Sequence, residues 1–169
     1  MHKFRLLKLI LRALLSRSAP DPIAARSFRV WVTPFDVEVT RAASHVYFAW
    51  AGLGRWCMVL HNVSWRRMLA EGWVPLTHSE MIQFKRAARL FSVVTVTTRA
   101  VWWDEKMLYF EHRMTQGETV NAVCYSRGAL YRGKERVAPA STMPGMPAVP
   151  PFEMPAVVAW WNVGPALGA

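Results

Sequence analysis

The chain has 169 residues, of which 53% are hydrophobic and 19% charged, with a formal net charge of +10. That length fits one domain with tails, and that apolar content excludes a chain disordered throughout. Cys57 and Cys124 are the only cysteines and no CxxC pair occurs, which speaks against a disulfide framework or a zinc site and for a reducing compartment, while the positive balance favours polyanionic partners such as nucleic acid, anionic lipid or the phosphates of a cofactor.

The charge is concentrated at the start: up to Arg29 there are seven Lys or Arg against Asp21 alone. Residues 3–15 set Arg5, Lys8 and Arg12 on one helical face with Phe4, Leu7, Leu11, Leu14 and Leu15 around the rest, which predicts a short basic amphipathic helix. Its apolar run is too short and too interrupted to cross a bilayer, which takes roughly 20 apolar residues. The absence of acids before Asp21, with Arg, Ser and Leu abundant, gives three readings of residues 1–25: a mitochondrial targeting arm, an interfacial membrane helix, or a helix packed on its own domain.

From Ser27 the period changes to two. Phe28, Val30 and Val32 alternate with Arg29 and Trp31, which predicts a strand ending at Thr33-Pro34. Ser44 is a candidate N-cap for a run from His45 to Leu60 that is apolar on nearly every side, and a helix of that kind has to be buried all round. Gly52 and Gly54 weaken such a helix by roughly 1 kcal/mol each relative to Ala, so both are expected to let a strand approach closely. Residues 64–71, stopped by Gly72, read as a second short helix.

Four strands follow, at about 74–86, 90–103, 106–115 and 119–132, with breaks at Ala87 to Arg89, Asp104-Glu105 and Gln116-Gly117-Glu118. They are expected to form an antiparallel meander, so the whole reads as α+β, with a sheet of about five strands wrapped around one helix. Residues 138–169 hold seven of the eleven prolines and no Lys or Arg, and close on Val157, Val158, Trp160 and Trp161. The segment reads as an extended arm whose tryptophans dock on this domain, a second copy or another protein.

Several local motifs in order resemble the hotdog-fold acyl-CoA thioesterase-like superfamily. They are Gly72-Trp73-Val74-Pro75, Ile82-Gln83-Phe84-Lys85-Arg86, Leu90-Phe91, then Thr98-Arg99-Ala100-Val101-Trp102-Trp103-Asp104-Glu105-Lys106 leading to Tyr109-Phe110-Glu111-His112-Arg113. The resemblance covers about residues 26–137 and implies a hotdog fold flanked by N- and C-terminal extensions. In that family the segment before the central helix reads D-x-D-x-N-x-H-M-N-N. Here the stretch runs from Asp36 to His45: Asp36 is kept, the second acid falls on Glu38, the usual His is Ala42, and the two Asn are Ser44 and His45.

Thioester hydrolysis needs a carboxylate that attacks the carbonyl or activates water, and N–H groups near a helix start that hold the developing oxyanion. The resemblance makes Glu38 the candidate for the first role, with Asp36 a second candidate or a turn residue. His45 either stands in for the lost polar groups or simply caps and packs. Arg86 and Arg99, with Arg41 and Arg89, are candidates for coenzyme A phosphates, against the alternative of solvated surface arginines. No metal or resident cofactor is expected.

Two functions follow from the resemblance. With its signature eroded, the chain is a non-catalytic structural subunit of a larger, mitochondrial assembly, ribosomal or respiratory, or otherwise an intracellular, membrane-associated one. It pairs through the sheet and C-terminal arm with other subunits or a homodimer mate and meets RNA or anionic lipid through its basic arm. Alternatively it is an active acyl-CoA thioesterase that releases free acid and CoA.

Overall fold

Alternation at Phe28 and Val30 produces the first strand of the computed structural model, β1 (Arg26–Trp31), with those two side chains buried and Arg29 and Trp31 outward. The structure describes residues 4–7, 10, 21, 23–62, 65–143, 145–151 and 153–163. Residues 4–7 and 10 are helical. The rest of the basic segment lies outside the described residues, as do the side chains of Trp160 and Trp161.

After β1 a single 3-10 turn, Pro34–Asp36, leads into a two-stranded hairpin, β2 (Val37–Glu38) and β3 (Arg41–Ala42). The apolar run then forms α1 (Ser44–Asn62), in which Trp50, Ala51, Leu53 and Met58 are completely buried. A short α2 (Trp65–Ala70) ends at Gly72, whose φ of 64° suits glycine.

The long strands are β4 (Trp73–Phe84), β5 (Val93–Trp103), β6 (Leu108–Gln116) and β7 (Thr119–Arg132), with a short β8 (Glu135–Val137) returning against β7. Their order in the antiparallel sheet is β1-β5-β6-β7-β4. This corrects the expected four-strand meander: β5, β6 and β7 do follow one another, but β4 lies beyond β7 and β5 pairs with β1. The reason is in the connection after β4, which makes no tight turn. It runs past the start of α1, where the Ala88 amide donates to the Tyr47 hydroxyl at 2.8 Å, the Ala42 amide to the Ala88 carbonyl at 2.9 Å, and the Leu90 amide to the Thr40 carbonyl at 3.0 Å.

The sheet curls around α1. Val94, Val96, Thr98 and Ala100 of β5 point inward and are buried against it. The opposite face is covered by α4 (Ala156–Val163), where Val158 packs with Val101, Met107, Tyr109 and Ala129. Between β8 and α4 a single turn, α3 (Pro139–Thr142), precedes Met143 and Met146, both buried beside Trp103 and Leu108. The segment expected as an extended arm therefore folds onto the domain. Its apolar side chains are cheaper to bury than to leave in water, and the Pro147 carbonyl accepts the Trp103 indole N–H at 2.9 Å.

Candidate functional site

The segment between β1 and α1 is held by Asp36. Its Oδ2 accepts the Thr33 amide at 2.9 Å and the Thr33 hydroxyl at 2.7 Å, and Arg5 donates to Oδ1 at 2.9 Å and to Oδ2 at 2.6 Å. Arg5 also reaches the Trp31 carbonyl at 2.8 Å, so this one arginine fastens the N-terminal helical turn to the body. Burial by itself raises the Asp36 carboxyl; the hydrogen bonds from Arg5 and Thr33 outweigh it and hold the group below its ordinary value. With both oxygens engaged and 5% exposure, Asp36 holds the turn before α1.

A depressed carboxyl pKa means that Asp36 stabilises the fold above the ordinary value near 3.9, and that the contribution is lost only as pH falls below it through the native pKa. Asp36→Asn is therefore expected to lower the urea midpoint at pH 7 by the equivalent of about 3 kcal/mol, since it breaks a buried pair. The gap to wild type should narrow as pH falls below the ordinary carboxylate range and the native carboxyl becomes protonated too. A gap that persists there would mean that shape and not charge is what Asp36 supplies.

Glu38 stands on the hairpin opposite Arg41 and is exposed. The next residue, Val39, has φ 61°, a left-handed conformation that strains a β-branched side chain, and it is 92% exposed. The hairpin is tied to the helix start by the Ala43 amide donating to the Asp36 carbonyl at 2.9 Å. Ser44 is the first residue of α1, and Ser44 and His45 are exposed. Helical spacing then puts His45, Phe48, Gly52, Arg55 and Val59 in one stripe. That stripe, from Phe48 onward, lines an apolar cavity of about 360 Å³ whose other wall includes Leu76, Phe110, Gly128 and Leu130. His45 thus heads the stripe, and the hairpin that carries Glu38 is joined to the same end of α1 through Ala43.

The two helix glycines part company. A Cβ on Gly54 would overlap the Thr98 hydroxyl and come within 3.0 Å of His112 Nδ1, so the expected close approach holds there. A Cβ on Gly52 would meet only Arg55 Nη2, at 3.5 Å, so for Gly52 that expectation is corrected: it faces open space in the cavity wall.

Two polar groupings were not anticipated. Arg55 forms an ion pair with Glu80 of β4. Beneath Gly54, Thr98 Oγ1 and His112 Nδ1 lie 2.9 Å apart, and His112 Nε2 and Ser126 Oγ 2.8 Å apart, all three residues completely buried. Burial, reinforced by the charge of Arg55, drives the His112 pKa well below the usual imidazole value, so the ring is neutral and acidification favours the unfolded chain. Nearby Cys124 has its thiol pushed up to about 12, by burial first and then by Glu80, which makes it a packing residue. A signal for Arg55 was present, since it is the only Lys, Arg, Asp or Glu in α1.

The arginines separate as well. Arg86 is exposed on the connection after β4, its backbone bracketed by Asn121 at 3.0 and 3.1 Å, and Arg89 of the same connection bridges to Arg41 on the hairpin. These three lie at the Glu38 end of the molecule. Arg99 does not join them: it follows the inward Thr98 on β5, points to the other face and pairs with Glu111 at 3.2 Å. Strand alternation, with Thr98 inward, is what turns Arg99 to that face. Among the described residues no group of three or more His, Cys, Asp or Glu is placed to hold a metal.

A family model described as the thioesterase-like superfamily matches residues 39–161. Among solved structures, a probable thioesterase of Escherichia coli is similar at a TM-score of 0.61 and 17% identity, over 66% of this chain and 88% of that one. A 1,4-dihydroxy-2-naphthoyl-CoA thioesterase of Synechocystis gives 0.59 at 11% identity, over 68% and 88%. A hypothetical protein of Staphylococcus aureus solved in complex with CoA gives 0.60 at 13% identity, over 88% and 86%. Among curated proteins no sequence matches.

Proposed function

Since this chain belongs to the thioesterase-like superfamily, we propose that it binds acyl-CoA with the acyl group in the cavity along α1 and hydrolyses the thioester with Glu38 as general base. The observation that carries this reading is the cavity: a purely structural subunit gains nothing from about 360 Å³ of apolar space beside its central helix. On this reading Glu38, on the hairpin that Ala43 ties to the start of α1, and the first-turn amides of α1 act at the N-terminal end of the stripe. Water adds to the carbonyl as its proton passes to Glu38, the N–H groups at Ser44 and His45 hold the oxyanion, and the C–S bond breaks as the proton goes on to the leaving thiolate. Arg41 and Arg89 set like charges on bridged segments, an unfavourable arrangement that a phosphate of CoA relieves, and Arg86 on the same connection adds a third cation. The test is thiol release from a panel of acyl-CoAs of graded chain length. Saturable release with at least one of them is the expected result; release no faster than without protein for any of them would end the hydrolase reading.

A second reading is favoured by a specific observation. Arg5, from the basic N-terminal segment, occupies the retained acid of the signature, Asp36, while Ala42 and Ala43 bury apolar methyls where the family motif carries His and Met. On this reading the chain holds acyl groups without turnover, as a subunit of a larger, mitochondrial assembly whose RNA or anionic lipid meets the basic arm. Sizing the native complex in salt-free and high-salt buffer separates it from the enzyme.

We also propose that two copies pair through β4. This strand is an edge of the sheet and keeps Val74, Leu76, Met81 and Phe84 exposed by 37 to 52%. Pro75 suits an edge position, because a central strand needs the N–H that proline lacks. Sedimentation is expected to give a dimer, and Met81→Lys with Leu76→Asp to give a folded monomer. A wild-type monomer at micromolar concentration would contradict the pairing.

A further inference from the structure

Arg55 and Gly52 give the cavity a chemical preference beyond apolar fit. Nη1 of Arg55 bonds the Glu80 carboxylate, while Nη2 stands over Gly52, 3.5 Å from where a Cβ would sit. The two side chains are only 18% and 22% exposed. A guanidinium carries five N–H donors in a planar fork, and the described residues supply a partner for Nη1 alone. Arg55 thus sets Nη2 beside Gly52 in the wall of a mostly apolar cavity, to which Thr77 adds the other polar side chain. Glycine at 52 is what keeps that space open. Mid-helix glycine is disfavoured relative to alanine, and nothing packs closely enough on Gly52 to require it.

Resting on the acyl-binding reading above, we propose that the cavity selects acyl groups bearing a neutral acceptor oxygen, a hydroxyl or oxo substituent, which takes the hydrogen bond that Arg55 offers over Gly52. A plain alkyl chain would cover Nη2 and remove it from water without replacing the lost bond. A carboxylate would bring a second negative charge beside Glu80 in a partly desolvated wall, where repulsion between like charges is strong. A neutral acceptor satisfies the donor and leaves the Arg55–Glu80 pair in place. The same arrangement explains why a charged pair is tolerated beside an apolar cavity: it supplies direction, which dispersion contacts lack.

The experiment uses the full chain and calorimetric binding of dethia-CoA analogues, in which a methylene replaces the thioester sulfur so that no hydrolysis occurs. Four probes of one chain length are compared: octanoyl, 3-hydroxyoctanoyl, 8-hydroxyoctanoyl and 7-carboxyheptanoyl. At least one hydroxylated probe is expected to bind about tenfold or more tightly than octanoyl, the size of a hydrogen bond to a charged donor, and the carboxylate probe no more tightly than octanoyl. Arg55→Met with Glu80→Gln should erase the advantage while octanoyl still binds. Gly52→Val, which keeps the ion pair but fills the space under Nη2, should weaken all four and level the difference, so the proposal stays testable if the double variant does not fold. Octanoyl binding as well as both hydroxylated probes, the carboxylate binding tightest, or an advantage that survives both variants would each overturn the selection while leaving acyl binding intact. Failure of all four probes to bind wild type would remove the acyl-binding reading itself.

Discussion

Alanine at position 54 is expected to destabilise the protein by about 2–4 kcal/mol, while the same substitution two residues earlier stabilises it by up to about 1 kcal/mol. Helix propensity favours both changes equally, by roughly 0.5–1 kcal/mol. At Gly54, however, the new methyl lands on the Thr98 hydroxyl and within 3.0 Å of His112 Nδ1. Both residues are fully buried and engaged with each other at 2.9 Å, with His112 also bonded to Ser126 at 2.8 Å, so neither can yield without leaving a polar atom unpaired. Overpacking costs about 1–3 kcal/mol and an unsatisfied buried group about 1–3 kcal/mol more. At Gly52 the methyl meets only the mobile end of Arg55, at an ordinary contact distance of 3.5 Å. For a domain of this size the thermal midpoint should fall by roughly 4–16 °C for Gly54→Ala and stay level or rise slightly for Gly52→Ala. Equal shifts in the two variants would show that the tight helix–sheet contact at Gly54 is misplaced.

Glu38→Gln is expected to lower kcat for acyl-CoA hydrolysis by about 100-fold or more, with KM nearly unchanged and no loss of stability. The estimate is the usual worth of a positioned general base. The separation of effects follows from where Glu38 sits. It is exposed on a two-residue hairpin beside the start of α1, so replacing its carboxylate by an amide removes no core contact. Its partner across the hairpin is Arg41, a surface pair of the kind that contributes at most about 1 kcal/mol. On the proposed reading the acyl group lies along Phe48, Gly52 and Val59, which line the cavity and which the substitution does not touch. Asp36→Asn serves as the comparison: it should lower stability at neutral pH, because both Asp36 oxygens are engaged by Thr33 and Arg5. If Glu38→Gln retains full kcat on a substrate that wild type hydrolyses, the base lies elsewhere and the assignment fails.

The sequence by itself determined the central helix, the long strands and their sidedness. Alternation at Phe28 and Val30, the all-round apolar run of α1 and the β-branched stretch Val93 to Thr98 each demand burial of a particular face, and local periodicity is enough to read that demand. Glu38 and His45 were legible as candidates through the resemblance of the Asp36 to His45 stretch, a matter of residue order alone. What only the tertiary structure decided is which of those residues meet. That β4 lies beyond β7, that Arg55 of the helix finds Glu80 of a strand, and that Thr98, His112 and Ser126 line up beneath Gly54 depend on register between segments far apart in the chain. Register is set by packing between elements, which no single segment encodes. The same holds for Gly52 and Gly54: the residue type is identical, and only what packs on each side of α1, open cavity at one and Thr98 with His112 at the other, tells them apart.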